Sequence, residues 1–257
     1  MKVLVTRPAA QAHEWVQALR GHGVQAQALP LIEIAPPANL AAVQEAWRSL
    51  PRYALAVFVS PNAVEQFFAA RPDGALWPRD LRAASPGPGT DLVLDRVGLA
   101  PALRVQPAAD APQFDSESLW QVLRHHDWRG GEVLIVRSNS GREWLAQRLA
   151  EAGARVDFVS AYERRAPRLA EDGRALLREA IQKPRQHLWF FSSSESVDHL
   201  ESLGSEVLAA PPDWSGAQAL ATHPRIASRA RRLGMGSVTE CAPRLDAVVR
   251  SIQSFAP

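Results

Sequence analysis

Lys2-Val-Leu-Val-Thr-Arg7 and Glu132-Val-Leu-Ile-Val-Arg137 are two versions of one stretch. Laid over itself with a shift of 130 positions, the chain also sets Leu19 on Leu149, Gly23 on Gly153 and Glu33 on Glu163, with no gap. At the slightly larger shift of 133, Phe58-Val-Ser60 with Val64 falls on Phe191-Ser-Ser193 with Val197. Repeats decide architecture before any motif does. The expectation is two similar doubly wound α/β domains with parallel sheets, and two such domains facing each other make a cleft suited to a small molecule.

Outward from that stretch, Val3-Leu-Val5 is a short β-branched run, Arg7-Pro8 a turn, and Trp15, Val16 and Leu19 an apolar stripe at helical spacing. Gly21 and Gly23 end the helix where glycines belong, and a second strand begins near Val24. The same order returns at Val133 to Val136, Trp144 to Leu149, Gly153, and Val156 to Val159. Ala54 to Val59 and Leu188 to Phe191 are further strands, each followed by a serine-rich loop and a helical pattern. Strands alternating with helices imply right-handed parallel crossovers.

Pro30 to Pro37 and Ser160 to Pro167 hold equivalent places in the two repeats and both end in Ala-Pro-type turns near Pro37 and Pro167. Read as crossings, with links near 35–37 and 161–167, they join residues 1–34 to 168–257 in one discontinuous domain and leave 38–160 as the other. Two sequential domains splitting near residue 128 fit the repeat as well.

The 257 residues suit two domains of ordinary size, and 46% hydrophobic with 22% charged residues excludes a disordered or fibrous chain. Cys241 is the one cysteine, so internal disulfides and thiolate-rich zinc sites are excluded and a reducing compartment fits. The opening apolar run is too short for a secretory signal, and Ala54 to Val59 too short to span a bilayer. A cytoplasmic monomer is expected, with no membrane partner. A net charge of +2 argues against a dedicated nucleic-acid binder. The arginines between Arg225 and Arg232 read as the solvated face of a helix ending at Gly234.

Gly21-His-Gly23-Val-Gln-Ala26 matches G-x-G-x-x-A, but it ends a helix and precedes a strand, the reverse of a dinucleotide fingerprint. No P-loop is present, and the seven histidines show no metal-ligand spacing. More informative are the loops after the strands: Pro8 to Gln11, Ser60-Pro-Asn62, Ser85 to Thr90, Ser138-Asn-Ser-Gly141-Arg142, and Ser192 to Ser194. Each feeds a helix N-terminus, where free N–H groups and the helix dipole bind carboxylates or phosphates. Capping alone explains any single loop. Five together point to a ligand bearing several anionic groups.

Val133-Leu-Ile-Val-Arg137-Ser-Asn-Ser-Gly141-Arg142-Glu143, followed by Gly153 and Tyr162-Glu-Arg164, resembles the uroporphyrinogen-III synthase family. The resemblance extends over the whole chain through Leu4-Val-Thr-Arg7-Pro8, Phe58-x-Ser60-x-Asn62-Ala-Val64 and Phe191-x-Ser193-x-x-x-Val197. It implies two α/β domains joined by paired links. It also implies closure of the linear tetrapyrrole hydroxymethylbilane to uroporphyrinogen III, a step of haem biosynthesis, with inversion of ring D, loss of water, and neither metal nor organic cofactor. The enzyme would be a cyclising hydro-lyase whose ligand is a small polycarboxylate tetrapyrrole.

In the family's pattern Tyr162 takes the tyrosine position and is the candidate acid for the departing hydroxyl. Arg7, Ser60, Asn62, Arg137 and Ser138 are candidate substrate-binding residues, with Gly141, Arg142 and Ser193. Around residue 90 the family shows Ala-x-Gly-x-x-Thr-Ala; here Ser85-Pro-Gly87-Pro-Gly-Thr90-Asp91 keeps Gly87 and Thr90, both further candidates, while adding prolines. Its counterpart Ala221-Thr222-His223-Pro-Arg-Ile226 has lost both, leaving Thr222 as the candidate there. His223 and Ile226 would reshape a loop meant to approach an anion closely. That departure leaves a second reading, a non-catalytic ligand-binding or regulatory module on the same fold.

Overall fold

The computed structural model describes residues 1–139 and 141–255; Ser140, within the loop 138–142 named above, lies outside them, as do Ala256 and Pro257. The elements run β1 (Lys2–Val5), α1 (Ala9–Gly21), β2 (Ala26–Ala28), β3 (Glu33–Ala35), α2 (Leu40–Arg48), β4 (Leu55–Phe58), α3 (Pro61–Ala69), β5 (Arg82–Ala84), α4 (Pro88–Arg96) and β6 (Arg104–Val105). They continue with α5 (Ser116–Leu123), β7 (Glu132–Ser138), α6 (Trp144–Glu151), β8 (Arg155–Arg165), α7 (Glu171–Gln182), β9 (His187–Phe191), α8 (Ser194–Val207), β10 (Gln218–Ala221), α9 (Pro224–Leu233), β11 (Ser237–Glu240) and α10 (Leu245–Gln253).

Two compact units result, one made of Met1–Glu33 with Arg165–Pro257 and the other of Ile34–Arg164. The first holds a sheet of order β11-β10-β9-β1-β2, the second one of order β3-β8-β7-β4-β5-β6. The pairings β2–β1–β9–β10–β11 and β8–β7–β4–β5–β6 are all parallel. Strand for strand these runs have the same order, with β1 in the place of β7 and β9 in the place of β4. The crossing segments β3 and β8 are neighbours in the six-stranded sheet. The stretch 161–167, expected as a link, is strand through Arg165 and not irregular chain.

Why the strands read as unbroken apolar runs is visible in where alternate residues go. Leu4, Trp189 and Phe191 face a core shared with α7, α8 and α9, whereas Val3, Val5, Leu188 and Phe190 face another built with α1 and α10. In the second unit Ala56, Phe58, Leu134 and Val136 meet α2, α3 and α4, and Leu55, Val57, Val133 and Ile135 meet α5 and α6. Side chains alternate across a strand, so burial of both faces requires apolar residues at every position. Gly23, at φ +76, makes the turn after α1, and Gly153, at φ +100, makes its equivalent after α6. Both adopt a left-handed backbone that residues with a Cβ rarely take. The Gly21-to-Ala26 stretch is thus a helix end, as its order predicts. No described helix is long and apolar enough to cross a membrane.

Candidate active site

In an open parallel sheet ligands gather beyond the carboxyl ends of the strands, where neighbouring connections leave in opposite directions. That point lies between β1 and β9 in the first unit and between β7 and β4 in the second. The sequence candidates cluster there. Arg7 follows β1 and Ser193 follows β9, while Ser60 follows β4 and Arg137 with Ser138 ends β7.

Ser60 is the N-cap of α3, and its Oγ accepts from the Ala63 N–H at 3.2 Å. The same Oγ lies 2.9 Å from the Tyr162 hydroxyl. Tyr162 is only 2% exposed and belongs to the core shared with α2, α3 and α4. Expected from the sequence in a link, it lies within β8. A slip in the β7–β8 register sets Ser138 opposite Tyr162 instead of Ala161. Irregularities of this kind re-aim a side chain, and here Ala161 and Tyr162 are both buried although adjacent. Ser138 is buried too, and Asn62 is 7% exposed in the first turn of α3.

Arg7 and Arg137 hold equivalent positions in the two strand orders and share a physical situation. The Arg7 guanidinium sits 4.7 Å from the Trp15 ring and 5.9 Å from that of Phe190. Its Nε is buried and makes no hydrogen bond among the described residues, and burial pushes its pKa down to about 10. Arg137 lies 4.2 Å over the Phe158 ring and donates to Glu143 at 3.3 Å, yet its Nη1 is buried without a described partner. A buried cationic nitrogen with no acceptor carries a desolvation cost that an incoming carboxylate relieves.

Other candidates are placed differently from the sequence reading. Arg142 is already engaged, donating from Nη1 and Nη2 to both carboxylate oxygens of Glu117 at 2.6 and 2.9 Å; that pairing holds its pKa above the ordinary value. Gly141, at φ +150, is exposed. Gly87 caps α4 in extended conformation, and what approaches it closely is the side chain of Phe114. Thr90 is buried within α4, 4% exposed, so it is not presented on a loop. Ser193 holds the N-cap position of α8 without turning its hydroxyl to the helix N–H groups.

Thr222 follows β10, and its N–H donates to the Phe191 carbonyl at 3.1 Å. His223 takes over capping in the altered loop, its Nδ1 accepting from the Arg225 N–H at 3.1 Å, and Ile226 is buried in the core below. The loop's loss of Gly and Thr is therefore absorbed locally, with a ring nitrogen in the part usually played by a hydroxyl.

Glu117, Phe114, Trp15 and Phe190 touch these candidate groups and are not among the candidates that the sequence marks. Asp115 before a helical run signals the start of α5, but nothing in the spacing says that Glu117 meets a residue 25 positions away.

A family model described as uroporphyrinogen-III synthase HemD matches residues 13–250. The chain belongs to the uroporphyrinogen-III synthase family. It is similar to the uroporphyrinogen-III synthase of Salmonella typhimurium, 32% identical over 165 residues, a match covering 64% of this chain and 65% of that protein. The chain thus spans just under two thirds of that relative's length. With the uroporphyrinogen-III synthase of Synechococcus elongatus it shares 31% identity over 221 residues, 83% of this chain and 77% of that one. Among solved structures it is similar to uroporphyrinogen-III synthetase from Helicobacter pylori, with a TM-score of 0.62 at 16% identity and full coverage of both chains. A mutant uroporphyrinogen III synthase from Thermus thermophilus gives 0.59, also at 16%, covering 99% of this chain and 98% of that one. At such identities these likenesses speak for the fold. Tyr162, Arg137 and the Gly141-Arg142 pair, which carried the resemblance in the sequence, all stand on or just after β7 and β8.

Proposed function

We propose that the chain closes hydroxymethylbilane to uroporphyrinogen III, inverting ring D with loss of water, as a cyclising hydro-lyase of tetrapyrrole biosynthesis. The observation that carries this reading is the Ser60–Tyr162 hydroxyl pair beside the switch point of the second unit, in a chain of this family. Tyr162 gives its proton to the departing ring-A hydroxyl. The azafulvene so formed is attacked by the substituted carbon of ring D, and the spiro intermediate fragments and recloses. Ser60, whose Oγ already accepts from Ala63, keeps its own proton to donate to Tyr162 Oη as negative charge develops there.

The free substrate can close without inversion, so the main demand on the protein is to hold one folded conformer. Arg7 and Arg137 suit that task, since each offers a buried nitrogen with no acceptor among the described residues, which an arriving carboxylate supplies. Ser193, Thr222 and the N–H groups at the start of α8 supply further anchors of the same kind. No cofactor enters the proposal. The 130-residue shift and the shared strand order support reading the two units as copies of one element joined by two crossings. We take the protein to act as a cytoplasmic monomer on a free small molecule.

A second reading, a polycarboxylate-binding module without catalysis, is favoured by the occupation of Arg142 and Gly87 by groups of the chain itself. The two are separated by a coupled assay with freshly generated hydroxymethylbilane, resolving type III from type I product. An enzyme gives type III well above the spontaneous background of type I. A module leaves the product ratio at that background.

A further inference from the structure

Phe114 and Glu117 lie where the chain enters α5, and both end on candidate ligand groups. A Cβ placed at Gly87 would fall 2.6 Å from Cβ of Phe114, so the phenylalanine fills the space in front of that glycine. Three residues on, Glu117 grips Arg142 through both carboxylate oxygens. Asp115 between them caps α5 through the Ser118 N–H at 2.9 Å, tying the two anchors to one helix end. Phe114, Asp115 and Arg142, with Val57, Val59, Pro86 and Leu145, line a cavity of about 150 Å³. A carboxylate in two-pronged contact with a guanidinium is the geometry by which Arg142 would hold a ligand's carboxylate, and Glu117 already supplies it.

We infer that the Phe114–Glu117 segment is an internal plug, with Glu117 a placeholder carboxylate that a ligand carboxylate displaces from Arg142. The inference rests on the reading of Arg142 as a carboxylate subsite. Both side chains of the pair are 41% exposed, so it is held weakly and competition is feasible. It also places a cost on binding that a ligand with one carboxylate meets alone, whereas a ligand with several recovers it through the other anchors. A brace that merely orients Arg142 has the opposite consequence, because its removal weakens binding.

The full-length protein is treated with phenylglyoxal and modification of Arg142 followed by mass spectrometry of its peptide, with citrate as the protecting polycarboxylate. In Glu117→Ala, Arg142 should react faster, and citrate should protect it at roughly two- to five-fold lower concentration than in the wild type, the scale of an exposed ion pair. Phe114→Ala, which leaves Glu117 in place but frees the segment, should move both quantities in the same direction. An unchanged or higher citrate requirement in Glu117→Ala overturns the plug and makes Glu117 a brace. The coupled assay on the same wild-type sample bears on the enzymatic reading alone: citrate competition without type III product keeps the plug and removes the enzyme.

Discussion

The hydroxyl oxygens of Ser60 and Tyr162 stand 2.9 Å apart, one at the start of a helix and the other in a strand of the same unit. Ser60 accepts from a backbone N–H and still has a proton to give to the phenol oxygen and a second acceptor site for the phenol proton, so the helix terminus, the serine and the phenol form one connected chain. Tyr162→Phe keeps the ring and its packing and removes the proton. The rate of type III formation should fall by roughly 10²-fold or more, the scale of a general acid. The stability loss, read from urea unfolding, should be about 1 kcal/mol for one buried hydrogen bond. A rate within a few-fold of wild type would show that Tyr162 is a packing residue.

Ser60→Ala removes the cap of α3 and the partner of Tyr162 together. Loss of the cap should cost about 1 kcal/mol in urea unfolding. The rate should fall further than that instability explains, and Ser60→Thr, which keeps a hydroxyl, should restore most of both. An alanine variant with wild-type kcat would remove Ser60 from the proton path.

Arg7 gives a prediction with a sign that distinguishes function from architecture. Burial depresses its pKa to about 10, so the folded state disfavours the charge that the unfolded chain carries freely. That cost is constant below about pH 10 and shrinks only above it, so this contribution to stability rises as pH climbs past 10. At pH 7, Arg7→Met should leave Tm unchanged or raised while increasing KM. A Tm drop of several degrees would mean that the Trp15 and Phe190 rings stabilise the cation more than burial penalises it.

The two units make a claim about folding. A fragment of residues 34–164 contains β4 to β7 and all of β8 but Arg165, with both cores of the unit, and should unfold in one cooperative urea transition. A fragment 1–128 lacks β7, the strand on which β4 and β8 both depend, and should not. Cooperative unfolding of 1–128 with a disordered 34–164 would reverse the assignment.

The α/β class and the strands and helices around the repeated motif are legible in the sequence. These follow from local causes: apolar runs where both strand faces are buried, and glycines where the backbone turns left-handed. Ser60 was marked because a strand end feeding a helix is readable one segment at a time, and Arg137 and Tyr162 because they match the family's motifs. That Arg142 meets Glu117 and that Phe114 stands against Gly87 depends on how distant segments pack. The burial of Tyr162 depends likewise on a one-residue slip between β7 and β8. Such contacts join residues far apart in the chain. Periodicity reports which face of an element is apolar, but the identity of the group that meets that face is set by how the elements pack.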